Sequence, residues 1–206
     1  PICEPSKIDQ IADAWVDRIA ELSPSFATYI GRPGGEDKLD DESPAAAAKY
    51  IAEVKAKLAE VNAAEVRDET DEVTKHAMQN RLGLEIETYD SGLQHRNLNV
   101  IASPAQGIRD IFDLSPAETE HDWHNLASRM NAVVDALAGY TENLALGIEA
   151  KDAPARRQVE QVITQVDQDF LALPLTSVSD AAISAAKSAG ASHVDVRIER
   201  TQIGRA

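Results

Sequence analysis

Two histidines are the first residues whose type and spacing could do chemistry. His121 and His124 stand three apart in His121-Asp122-Trp123-His124, which puts both imidazoles on one side of a helix, where they could ligate a metal. A zinc site takes three or four protein ligands, and no spacing marks a Cys or acidic third. The pair is therefore a metal candidate only with ligands from elsewhere, and the expectation is no resident metal and no cofactor. Asp110 and Asp113, beside Arg109, could form an acid–base or metal-binding pair, although carboxylates at a helix end serve equally well as solvated charges. Ser103 precedes a proline and lacks the Gly-x-Ser-x-Gly surround that raises a nucleophile. Gly31 to Gly35 has three glycines and Arg32 but not the Gly-Lys-Ser/Thr ending of a phosphate loop, so it reads as a turn. Cys3 has no nearby histidine to hold a thiolate. No residue is assigned as catalytic.

The elements that would position these side chains are helical. Ile8, Ile11, Ala12, Trp15 and Ile19 share one helix face. Ser23-Pro24 and Ser43-Pro44 each pair an N-cap with a proline in the first turn; the second opens a helix striped by Tyr50, Ile51, Val54, Leu58 and Val61. A third long helix is predicted from about Asp68 to Ser91, with an acidic first turn that suits the helix dipole. Its sides are marked by Val73, Ala77, Asn80, Leu84 and Thr88, and by Leu82, Ile86 and Tyr89, and Gly92 stops it. Residues 93–107 are expected to be irregular or briefly helical, interrupted by Ser103-Pro104 and Gly107. Ser115-Pro116-Ala117-Glu118 has the pattern of a capping box, ahead of a helix through Trp123, Leu126 and Met130 that continues or restarts through Val133, Leu137, Leu144 and Ile148. Pro154 is expected to start the last long helix, with Val159, Val162, Ile163, Val166 and Phe170 inward. The predicted fold is all-α: an antiparallel array of about six to eight helices. A small appendage follows, a small-residue helix over Ser179–Ala189 and a strand in His193–Arg200.

Composition narrows the partners. Acidic residues outnumber basic ones 35 to 20, for a formal charge of −15, which argues against nucleic acid and against an anionic membrane surface. No apolar run approaches the roughly 20 residues needed to span a bilayer. The start, Pro1-Ile-Cys-Glu-Pro, shows no signal peptide. The lone Cys3 cannot form an intramolecular disulfide, which suits a cytoplasmic setting.

The segment Asn99-Val-Ile-Ala-Ser-Pro104 with Ile108 to Phe112, followed by an acidic loop, a Trp-containing helix and Arg129, resembles the DUF885 family over roughly residues 8–169. Those are large helical proteins that look like zinc-dependent peptidases, with a His-Glu-x-x-x-x-His type motif further along. The resemblance implies that Asn99, Ser103 and Arg109 line a substrate cleft in an intact relative. From the residues themselves, Asn99 and Ser103 can equally satisfy backbone in a sharp turn while Arg109 pairs with an acidic neighbour. Ala185-Ala-Lys-Ser-Ala-Gly-Ala-Ser-His-Val-Asp-Val-Arg197 is similar to the opening of the TldD/PmbA family. Two regions are therefore expected, 1–172 and 173–206. The expected function is a non-catalytic, truncated helical scaffold. The alternatives are an interaction module that binds a protein partner or its own copy, and a metallopeptidase subunit whose zinc helix comes from another chain.

Overall fold

The computed structural model describes residues 4–167. They form seven α-helices and one short 3-10 turn, with no strand among them. The helices are α1 (Lys7–Leu22), α2 (Pro24–Tyr29), α3 (Pro44–Ala63), α4 (Glu69–Asp90), α5 (Pro104–Leu114), α6 (Glu120–Glu149) and α7 (Arg156–Gln165), and the 3-10 turn spans Leu93–Arg96. The all-α expectation holds. The helix and strand foreseen over 179–200 lie outside the described residues. No helix of the described residues is long and apolar enough to cross a membrane.

Local chemistry sets most boundaries. Ser6 caps α1 by accepting the Asp9 amide while the Asp9 side chain returns to the Ser6 amide, a reciprocal capping box. Ser23 and Ser43 cap α2 and α3, each with proline in the first turn. Gly92 ends α4 in the left-handed region at φ 73°, open to glycine at no steric cost.

The first core is shared by α1, α3 and α4. Ile11 and Trp15 meet Ile51, Val54 and Val61 from α3 and Leu82 from α4, with Met78, Ile86 and Tyr89 packed alongside. The α3–α4 hairpin presents its own stripe, so this core needs little from later sequence. Beneath it, the buried Asp71 carboxylate accepts the Ser6 hydroxyl at 2.6 Å and the Arg67 amide at 2.9 Å. These bonds join the start of α1 to the start of α4 and satisfy groups that would be costly if left unpaired. A second core gathers Ala105, Tyr140 and Val162 with Leu98, Val100, Leu144 and Val166, uniting α5, α6 and α7 around the 97–103 segment.

Several local expectations are corrected. Val73, Ala77, Asn80, Leu84 and Thr88 form the outward side of α4, with Val73 66% and Leu84 52% exposed. Apolar residues lie on nearly every side of this helix, and the α1 and α3 surfaces decide which side is covered. Ser115 does not open a helix. It ends α5, its hydroxyl donating to the Ile111 carbonyl at 2.7 Å. Thr119 caps α6, with Asp122 completing the box. α6 then runs without interruption for 30 residues. Residues 104–107 are the first turn of α5 rather than a break. α7 begins at Arg156, two residues past Pro154, and Ile163 faces outward. Phe170 lies outside the described residues.

Candidate functional site

The polar centre of the molecule lies where the 40–43 loop, the 3-10 turn and the 97–106 segment meet α6. Two glycines of α6 permit the approach. A Cβ on Gly139 would stand 2.7 Å from the Ser43 amide nitrogen, and one on Gly147 would collide with the His95 carbonyl. Between them, Asn143 donates to the Glu42 carbonyl at 2.6 Å, and its Oδ1 faces His95 Nδ1 at 3.1 Å. One side chain thus fastens both incoming segments to α6. A turn earlier, the Tyr140 hydroxyl donates to the Asn97 carbonyl at 2.7 Å.

The segment that carries the family-like motif is braced from within. Asn99 Oδ1 accepts the amides of Ile101 and Ala102, and its Nδ2 donates to the Ala102 carbonyl, so one side chain closes the turn. Ser103 is buried. Its hydroxyl donates to Gln106 Oε1, which also accepts the Ser103 amide, and the Asn99 carbonyl lies 3.3 Å from the same hydroxyl. Gln106 Nε2 then reaches the Asn99 carbonyl at 3.0 Å and Gln165 Oε1 at 3.1 Å, and Gln165 donates to the Val100 carbonyl. α7 is thereby tied to this turn. Arg109, further along α5, is held by Asp113 and Asp110, and these pairs raise its pKa, Asp113 most strongly. Asn99 and Ser103 therefore share one turn, and Arg109 sits apart from them with acidic neighbours.

A second cluster lies around Arg129. This side chain is fully buried, yet among the described residues its guanidinium hydrogen-bonds to no carboxylate. It donates to the Lys38 and Gly35 carbonyls, to Thr28 Oγ1 and to Ser115 Oγ, at 3.0, 3.2, 2.6 and 2.6 Å. Burial lowers its pKa, opposed by the fields of Glu36, Asp40 and Asp37. The geometry suits guanidinium, whose fixed fork can serve several oxygens at once. One acceptor, the Gly35 carbonyl, ends the Gly31–Gly35 turn, whose glycines at 31, 34 and 35 all have positive φ. Beside it is a small recess lined by Glu36, Ser115, Pro116, Asp122, Asn125 and Leu126.

Glu42, at the junction with α6, titrates far from the usual carboxylate range. Burial pushes its carboxyl up to about 7, and Asp40 and Asp41 add to the rise. Burial also raises the Tyr140 phenol; the adjacent Ser103 hydroxyl acts in the opposite sense and Glu42 adds to the rise. A carboxyl that exchanges its proton near neutrality could act as an acid or base, but it could equally report the pH at this junction.

The two histidines occupy the first turns of α6. Both are exposed, His124 at 78%, with its Nε2 4.0 Å from Glu120. Among the described residues, no three His, Cys, Asp or Glu side chains gather as a metal-binding group. Sequence reasoning singled out Arg129 without its burial. It did not foresee Glu42, Gln106, Tyr140 or Asn143 as a connected group. The one legible sign was the acidic run Asp40-Asp41-Glu42 ahead of a helix cap.

The family model described as "Bacterial protein of unknown function (DUF885)" matches residues 24–202, most of the chain, including 181–200 where the second resemblance was read. No curated protein matches the chain.

Proposed function

The chain belongs to the DUF885 family, and from that premise we propose that its described helices serve as a non-catalytic scaffold. One observation carries this reading: side chains able to do chemistry are spent on holding backbone. Asn99 and Ser103 close a turn, Arg129 serves four neutral oxygens, and Arg109 is paired with Asp113 and Asp110. In this reading the 97–106 turn is a preformed wall. It would line a cleft in a zinc peptidase-like assembly whose metal ligands lie on other residues, with Asn99 and Ser103 holding its shape from within and Arg109 apart from it on α5. A cytoplasmic setting, with Cys3 reduced, accords with it.

A second reading has the chain as a metallopeptidase subunit completed by another chain. The exposed His121 and His124, side by side at the start of α6, favour it, because they are free to join ligands from a partner. Zinc content after dialysis against trace metal, together with peptidase assays, tests both. The scaffold reading expects no stoichiometric zinc and no chelator-sensitive hydrolysis. Tightly held zinc, with hydrolysis that chelator abolishes and that is lost in His121→Ala or His124→Ala, would overturn it.

A further inference from the structure

One long face of α6 is open to solvent. Val134, Leu137, Thr141, Ala145 and Ile148 follow one another in steps of three and four residues, which keeps them on a single stripe of the helix. All five are exposed, Val134 at 61% and Ile148 at 64%. The stripe runs about 21 Å at 1.5 Å per residue. Arg129, Ala136, Tyr140, Asn143 and Gly147 turn the other way, into the molecule.

A row of acids runs beside the stripe. Asp135, Glu142 and Glu149 stand seven residues apart, about two helical turns each, so they line up roughly a quarter turn round from the apolar residues. All three are exposed, and none of their side chains has an ion pair or hydrogen bond among the described residues. Their own helix offers no partner, since no Lys or Arg lies between Arg129 and Lys151. Other exposed acids, such as Asp17, Asp90 and Asp113, are each met by an Arg or Lys. An apolar stripe edged by charges of one sign at heptad spacing suits a second amphipathic helix, with apolar residues on the seam and opposite charges along its edge. A second copy of this chain would bring the same acids and no basic row to meet them. A basic helix would answer both features, and the net charge of −15 would draw it in. We propose that this face docks a basic amphipathic helix of a partner protein. Its apolar side covers Val134–Ile148, and Lys or Arg at seven-residue spacing meet Asp135, Glu142 and Glu149.

The test titrates the full chain into a fluorescein-labelled synthetic peptide of three identical heptads, with leucine on the seam and lysine on the flanking position, followed by anisotropy. A matched peptide carries glutamate in place of lysine. The lysine peptide should bind saturably, and about tenfold or more tightly than the glutamate peptide. D135K/E142K/E149K should reverse that preference, and V134D/L137D should weaken the lysine peptide about tenfold. D13K/E65K/E87K makes an equal change in net charge at exposed acids elsewhere and should keep the preference. Equal losses in the two charge-reversal variants would reduce the binding to attraction by net charge and overturn the proposal. So would a lysine peptide that does not bind saturably, or a dimer of the chain that V134D/L137D dissociates. Each variant is required to keep the helical circular dichroism of the parent; E142K alone, with a loss of about threefold expected, replaces a triple variant that does not.

Discussion

Replacing Glu42 with glutamine should make this protein more stable in mild alkali and leave it nearly unchanged in mild acid. The Glu42 carboxyl is pushed up from an ordinary 4.5 to about 7, chiefly by burial and then by Asp40 and Asp41. The folded chain thus holds this proton more tightly than the unfolded chain. Stability is full below about pH 4.5 and falls as pH rises through about 7. The displacement corresponds to about 3 kcal/mol at 1.36 kcal/mol per pH unit, or about 2 kcal/mol after solvent screening of the exposed part of the side chain. Glutamine keeps the shape and removes the titration. Urea unfolding at pH 5 and pH 8 isolates the effect, because the repulsion among the other carboxylates is common to both proteins. At an m-value of about 2 kcal/mol/M, the E42Q midpoint should exceed that of the parent by about 1 M at pH 8 and by less than about 0.5 M at pH 5. Equal displacements at the two pH values would refute the reasoning, since they would show that Glu42 is not desolvated at the junction with α6.

Three further substitutions probe the contacts that fix α6. Arg129→Met keeps the volume but strands the Lys38 and Gly35 carbonyls and the Thr28 and Ser115 hydroxyls; a loss of about 3 kcal/mol or more, near 10 °C in Tm, is expected by calorimetry. Gly147→Ala drives a methyl group into the His95 carbonyl and should cost about 1–3 kcal/mol. Faster amide hydrogen exchange across Leu93–Arg96 would accompany it. Tyr140→Phe deletes the bond to the Asn97 carbonyl and the contact with the Ser103 hydroxyl; chemical denaturation should show a loss of about 1–2 kcal/mol, and a loss much larger would mean that the hydroxyl braces more than these two groups.

What could be read in the sequence was whatever a single element decides for itself. The stripes of α1 and α3 are intrinsic to their 3.6-residue repeat, and Ile11, Trp15, Ile51, Val54 and Val61 are buried accordingly. α4 was ambiguous because Val73 and Leu84 compete with Met78 and Leu82, and only the surfaces of its neighbours choose between the two sides. The misplaced cap has the same origin: Ser115-Pro116 and Thr119 both satisfy the local pattern, and the bonds from Ser115 to Ile111 and from Arg129 to Ser115 determine which is used. The candidate site was legible as a segment and not as a network. Asn99 and Ser103 stand in one motif, whereas Glu42, Tyr140 and Asn143 are joined by contacts across as many as 101 residues, which no local pattern encodes.

The two cores also set an order of events at the ribosome. The α3–α4 hairpin closes through contacts near in sequence, so it can form as soon as those helices emerge. The Gly31–Gly35 turn emerges earlier still, but Thr28, Gly35 and Lys38 wait for a guanidinium made 91 to 101 residues later. For that interval the nascent chain carries a finished hairpin beside an unlatched loop. Arg129 is then a late-arriving latch: translation must pass it before the first half of the chain can close, and pausing ahead of α6 would lengthen the time during which that loop is open to chaperones.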